Sequence, residues 1–180
     1  MRWLDMASLS LSCIHFVCAF LFVSSVCLSD DKPAREYERQ QEKLLHEASP
    51  VGKVKTLIKM SEISLKEVVD FVKKGDLVEA DKSLIRYNDV IRQADEVLKS
   101  SHRNAQKNPA GFKEFEISLR KQLRKLADLK LSYPVDQQEK ISQAIASAEL
   151  AKEDMFQAIF GPENIRRGKG RSENPRKESQ

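Results

Sequence analysis

Cysteine and tryptophan are absent from the chain after residue 29. The three cysteines are Cys13, Cys18 and Cys27, and the single tryptophan is Trp3. If residues 1–29 are removed, the remaining chain cannot form a disulfide framework, a thiolate zinc or iron–sulfur site, a cysteine nucleophile or a covalent haem link. Its folding would therefore be insensitive to an oxidising compartment.

Glycine and proline are also scarce, with six of each in 180 residues. They fall at positions typical of boundaries, and between them lie stretches that contain neither residue. Strands are usually much shorter than these stretches, and β-branched residues never cluster in an alternating run. The sequence therefore predicts helices and no strands. The predicted helical segments are 34–49, 53–74, 76–108, 112–133 and 135–160.

Apolar residues in the last four segments recur every three or four positions, which is the helical period. The stripe is interrupted by a polar residue at Ser61 in the second segment and at Gln122 in the fourth. Flanking apolar residues widen each stripe, which is typical of bundle helices that share a core. These flanking residues include Leu57, Val69, Ile85, Leu123, Ile145, Phe156 and Ile159. The first segment has only a short apolar edge, formed by Tyr37, Leu44, Leu45 and Ala48.

Two tight reversals divide the helices into hairpins. Gly75 is a helix C-cap, and Asp76 with Glu79 has the spacing of a capping box. Asp136 with Glu139 repeats that spacing after Pro134. We predict an all-α fold, an antiparallel four-helix bundle made of two hairpins over 51–160. An N-terminal helix over 30–50 precedes it, the third helix frays within 100–111, and residues 161–180 form a disordered basic tail.

Residues 1–29 have the composition of a secretory signal peptide. Twenty of the 29 residues are apolar, the apolar stretch runs from 9 to 28, and Arg2 gives a weakly positive start. Cys27 and Ser29 supply small residues before a cleavage site at Asp30. We expect an extracytoplasmic protein, periplasmic or secreted. The alternative is an uncleaved anchor through residues 9–28, since about 20 apolar residues can span a bilayer.

Histidine is rare after residue 29, and the common catalytic and metal-binding motifs are missing there. Only His46 and His102 are histidines there, and no Glu-x-x-His motif of a di-iron bundle occurs. No histidine and acid pair supports a serine nucleophile, and the glycines are scattered rather than grouped into a phosphate loop. We therefore predict a binding or structural protein that is not an enzyme and has no cofactor or metal.

One short segment resembles a known helical repeat. Residues 74–80, Lys-Gly-Asp-Leu-Val-Glu-Ala, are similar to the start of a tetratricopeptide unit, although the 34-residue period of that family is missing. The resemblance covers seven residues. It implies an alternative function, a repeat-like scaffold that presents a groove to peptides.

The fourth segment is the most basic part of the predicted bundle. Arg120 and Arg124 carry the same charge four residues apart, and so do Lys121 and Lys125. Each such pair lowers the stability of an isolated helix by a few tenths of a kcal/mol. Either acidic residues of the fifth helix offset this cost, or an anionic partner does. The partner would be an unknown protein or an anionic surface such as lipid headgroups or a cell-wall polymer. Nucleic acid is not expected, since no aromatic residues interleave the basic ones. The candidate residues are Arg120, Lys121, Arg124 and Lys125 with Arg166, Arg167, Lys169 and Arg171 of the tail.

Overall fold

The computed structural model describes residues 32–169, except for the side chains of Asp136 and of residues 162–169. Within this range the chain is helical and has no strand, so the predicted all-α bundle of two hairpins with an additional N-terminal helix is confirmed. The predictions for residues 1–29 and for residues 170–180 lie outside the described residues. The helices are α1 (Lys32–His46), α2 (Pro50–Lys74), α3 (Leu77–Ser100), α4 (Phe112–Lys130) and α5 (Gln138–Lys169), with a 3-10 turn at Val135–Gln137.

The reversal between α2 and α3 is as tight as predicted. Gly75 adopts the left-handed conformation with φ of 75°, and the amide of Asp76 donates to the carbonyl of Phe71 at 3.0 Å. This is a Schellman-type end, which favours glycine because a Cβ would be strained there. The Asp76 carboxylate accepts from the amide of Glu79 at 3.2 Å. The reciprocal half of the capping box is not formed, because the Glu79 carboxylate pairs with Lys82 instead.

The last helix extends nine residues further than predicted. We expected it to end at Phe160, but the backbone remains helical to Lys169 beyond a break at Gly161, where φ is 49° and ψ is 160°. Pro162 follows the break, and proline suits the first position of a new helical stretch because that position needs no amide donor. At its start, α5 follows the 3-10 turn, and the Glu139 carboxylate accepts from Gln143 at 3.3 Å.

The segment between the hairpins is a defined loop rather than a frayed helix end. α3 ends at Ser100, and the Asn104 carboxamide oxygen then accepts from the amides of Gln106 and Lys107, each at 3.0 Å. Arg103 donates to the carbonyl of Ala110 at 3.1 Å, which joins the two ends of the loop. Ala105 is buried in the core, so the loop closes one end of the bundle.

The two hairpins pack so that each helix contacts two others. α2 contacts α3 and α4, and α5 contacts α3 and α4. The helices within a hairpin are antiparallel. Across the hairpins, α3 and α5 run parallel, because Lys140 near the start of α5 pairs with Asp81 near the start of α3, and Asp154 pairs with Lys99 further along both helices. α2 and α4 therefore form one side of the bundle, and α3 and α5 form the other.

The two polar interruptions of the apolar stripes contact each other between α2 and α4. Gln122 Nε2 donates to Ser61 Oγ at 2.8 Å and to Ser118 Oγ at 2.9 Å, and all three side chains are buried. Ser61 Oγ in turn donates to the carbonyl of Ile58 at 2.8 Å. A buried polar contact of this kind favours one register over others, because sliding the helices would leave the groups unpaired.

Replacing Gln122 alone by alanine is expected to lower the free energy of unfolding by about 1–3 kcal/mol, since it removes the partner of two buried hydroxyls and leaves a cavity. Replacing Ser61 by alanine and Gln122 by leucine together is expected to cost less than Gln122→Ala, since one polar partner is removed from each helix and the volume is refilled. Urea titrations of the three chains measure both effects. A double variant less stable than Gln122→Ala would contradict this account of the contact.

α1 packs on the first hairpin through a few side chains only. Tyr37 and Leu44 contact the core and Gln40 is buried, whereas Leu45 is 79% exposed and Ala48 lies beyond the helix. The predicted apolar edge is therefore half wrong, because Leu45 points to solvent while polar Gln40 is inside. Ile85 is a second correction, since it is 61% exposed rather than part of the core stripe. None of the helices described is apolar enough over its length to cross a bilayer.

Candidate functional site

The outer side of α4 carries three basic residues within one and a half turns. Lys121, Arg124 and Lys125 are exposed, and none has an ion-pair partner in the part of the chain that the structure describes. The apolar residues of α4 face the core, and this leaves the three cations on the solvent side. We call these three residues the α4 cluster.

Arg120 was predicted to belong to this group, but its charge is satisfied within α4. Its Nε donates to the carboxylate of Glu116, a residue that is 4% exposed. Removing the counter-ion of a buried carboxylate is costly, because it leaves a buried charge without a partner. Arg120 is therefore a structural partner of Glu116, and the predicted group of four on α4 reduces to the α4 cluster.

The acidic residues of α5 do not neutralise the α4 cluster. Asp154 pairs with Lys99 of α3 at 2.7 Å, Glu153 accepts from Gln157 at 2.7 Å, and Glu139 accepts from Gln143. Among the side chains that the structure places, no ion pair joins α4 to α5. Of the two explanations left open by the sequence, compensation within the hairpin is thus not seen for these residues.

A groove beside the α4 cluster separates α2 from α4. Its floor is apolar and consists of Leu65, Val69 and Leu129, and its volume is 370 Å³. Lys66 stands on the α2 rim and Lys125 on the α4 rim, together with Asp128 and Ser132. The sequence alone does not single out Lys66, because its proximity to α4 depends on the parallel packing of α2 and α4.

The basic residues of the tail fall into two groups. Arg166, Arg167 and Lys169 lie on the helical backbone beyond Gly161, and their side chains are not among those described. Arg171 lies outside the described residues. Whether these four residues join the α4 cluster therefore stays a prediction.

The opposite side of the bundle, formed by α3 and α5, has a different charge pattern. Two cations on this side each pair with two carboxylates. Lys99 pairs with Asp95 and Asp154, and Arg92 pairs with Asp89 and Glu96. Lys99 donates hydrogen bonds to the carboxylates of Asp154 and Asp95, and these bonds raise the pKa of Lys99. A groove of 400 Å³ runs along this side, with Leu150 on its rim.

The remaining chemistry of the described residues is sparse. His46 ends α1 and His102 sits in the loop, and both are exposed. Among the side chains that the structure describes, no three His, Asp or Glu come together in an arrangement that could hold a metal ion. Comparison with protein-family models, with curated proteins and with solved structures finds no match to this chain.

Proposed function

We propose that this chain is a non-catalytic helical-bundle module that is exported and binds an anionic partner through the α4 cluster. The observation that carries the proposal is that three adjacent cations are exposed with no carboxylate partner among the described residues. Their mutual repulsion costs a few tenths of a kcal/mol per pair, and an anionic partner would remove that cost. Candidate partners are lipid headgroups, a cell-wall polymer or an acidic protein.

The export part of the proposal rests on the composition of residues 1–29. The apolar stretch over 9–28 and the small residues before Asp30 support cleavage, which would release a chain beginning at Asp30. Among the described residues, the buried core of the bundle runs from Val54 to Met155. Retention of the leader would give an anchored form with the same binding surface, and the mass of the native protein distinguishes the two.

A chain of residues 30–180 is expected to bind vesicles that contain phosphatidylserine and not vesicles of phosphatidylcholine alone. Each cation near an anionic surface contributes about 1 kcal/mol, so Lys121→Gln, Arg124→Gln and Lys125→Gln together should weaken binding about a hundredfold. The effect should shrink as salt is raised, because salt screens exposed charges. Co-sedimentation with vesicles at low and moderate salt measures it.

A matched control carries the same change in net charge on other helices. Lys82→Gln, Arg92→Gln and Lys152→Gln remove three cations from α3 and α5, where Lys82 and Arg92 are already paired with acids. This variant should bind nearly as well as the unchanged chain. A chain that ends at Phe160 reports the contribution of the tail. The proposal is wrong if the unchanged chain does not bind at low salt, or if the control weakens binding as much as the α4 variant.

A further inference from the structure

The two sides of the bundle carry charges of opposite sign. α2 and α4 together contain twelve Lys or Arg residues and six Asp or Glu residues. α3 and the part of α5 up to Phe160 contain six Lys or Arg residues and nine Asp or Glu residues. Because α2 lies beside α4 and α3 beside α5, the excess of each sign is gathered on its own side instead of being mixed.

The basic side has a concave apolar feature. The groove between α2 and α4 has a floor of Leu65, Val69 and Leu129, and lysines stand on both of its rims. Lys66 and Lys125 are exposed and have no ion-pair partner among the residues described. A groove of this kind suits an apolar side chain that is surrounded by carboxylates.

The acidic side presents an exposed apolar side chain at the edge of its own groove. Leu150 on α5 is 67% exposed, and the acids Glu149, Glu153 and Asp154 lie within four residues of it on the same helix. Glu149 and Glu153 form no ion pair with any described residue, so their charges are not neutralised within the bundle. Ile85 on α3 is 61% exposed on the same side.

We infer that the α3/α5 side of one copy of this chain docks on the α2/α4 side of a second copy, with Leu150 seated in the groove and Glu149 and Glu153 facing Lys66 and Lys125. The inference rests on the proposed function, since it names a second copy as an anionic partner of the basic side. The two surfaces lie on opposite sides of the bundle, so the contact is heterologous. Each copy leaves one of its two surfaces free, and association continues into an open chain of copies instead of closing at a dimer.

Sedimentation velocity of residues 30–180 tests the inference without any added ligand. At low salt the average mass should rise with protein concentration and show no fixed end point. At high salt it should fall to that of one chain, because the contact depends on exposed charges. An unchanged chain that stays monomeric at low salt and high concentration would overturn the inference.

Charge reversal on each side gives the sharper test. Lys66→Glu with Lys125→Glu makes the groove acidic, and Glu149→Lys with Glu153→Lys makes the Leu150 surface basic. Each variant alone should associate at least about tenfold more weakly, because like charges then face each other. An equimolar mixture of the two should associate again, because each reversed surface then meets the opposite charge. Association that survives in the Glu149→Lys, Glu153→Lys variant, or a mixture that stays monomeric, would overturn the inference.

Vesicle binding separates this inference from the proposed function. The Glu149→Lys, Glu153→Lys variant keeps the α4 cluster unchanged, so it should still bind vesicles that contain phosphatidylserine. If the unchanged chain does not bind these vesicles, the proposed function is wrong. Vesicle binding by a chain that never self-associates would overturn only the second-copy inference and would assign the basic side to a lipid surface.

Discussion

Replacing Leu126 by alanine is expected to lower the free energy of unfolding by about 2–5 kcal/mol. The Leu126 side chain on α4 is fully buried and belongs to the core of the bundle. Removing three carbon atoms from such a site costs their transfer from water and leaves a cavity that the neighbours only partly fill. Leu84 on α3 is 2% exposed, and its replacement by alanine should have an effect in the same range. Urea titrations followed by far-ultraviolet circular dichroism measure both changes.

Two exposed apolar residues provide matched controls for this prediction. Ile85 follows Leu84 directly but is 61% exposed, and Leu131 just beyond α4 is 85% exposed. Their replacement by alanine should change the free energy of unfolding by no more than about 0.5 kcal/mol, since neither change opens a cavity. If Leu84→Ala and Leu126→Ala also fall below this level, the helices do not pack as described.

Replacing Arg86 by alanine is the second change with a large expected effect. The guanidinium donates to Glu67 at 2.6 Å and to Ser83 Oγ at 3.0 Å, and it lies 5.3 Å from the centre of the Tyr37 ring. It therefore connects α1, α2 and α3. The Glu67 side chain is 7% exposed, so removing Arg86 leaves a buried carboxylate without its counter-ion. We expect a loss of about 1–3 kcal/mol at neutral pH.

The cost of Arg86→Ala should depend on pH. Burial raises the pKa of Glu67, and the Arg86 charge partly opposes that rise. A raised carboxyl pKa means that the folded chain holds this proton more tightly than the unfolded chain. The resulting stability is present below the ordinary carboxyl pKa and is lost as pH rises through the folded value. Without Arg86 the pKa of Glu67 rises further, so the difference from the unchanged chain should grow from acidic to neutral pH.

Two further chains isolate the role of Glu67. In a chain with Glu67→Gln and Arg86→Ala the cost should be nearly independent of pH, because the carboxyl that faced Arg86 is no longer there to titrate. Arg92→Ala removes an arginine that is 66% exposed and pairs with exposed acids on its own helix, so it should change stability little at any pH. Thermal unfolding from pH 4 to pH 7 measures the stability of each of these chains. This is about the range over which a carboxyl with a raised pKa titrates. If Arg86→Ala lowers stability by the same amount at pH 4 and at pH 7, the described role of Glu67 is wrong.

Helix positions and the two hairpins could be predicted because they depend on local features. Glycine, proline and the caps mark most of the helix ends, and the helical period marks the residues that face the core. The exceptions are α3, which ends at Ser100 well before Pro109, and α5, which continues beyond the break at Gly161. The choice of neighbours could not be predicted, because an apolar stripe shows which face is buried but not which helix covers it. Ser61 and Gln122 stand out in the sequence as polar interruptions of the apolar stripes. Only the parallel packing of α2 and α4 brings Gln122 Nε2 within 2.8 Å of Ser61 Oγ.

The candidate site shows the same division. The sequence singled out the basic residues of α4 from their spacing alone. It did not separate Arg120 from the others, although Glu116 stands four residues before it, an arrangement that favours an ion pair on one helix. Lys66 lies 59 residues before Lys125 in the chain, and no local pattern could associate the two. Its place on the groove follows from tertiary packing.

Backbone amide NMR of residues 30–180 during titration with a short heparin oligosaccharide tests the central claim most directly. The oligosaccharide is a polyanion that needs no membrane, so it reports where negative charge binds. We expect the largest shift changes on α4 around Lys121, Arg124 and Lys125 and on the adjacent part of α2 around Lys66, and we expect them to vanish at high salt. Shift changes centred on α3 and α5, or none at low salt, would contradict it.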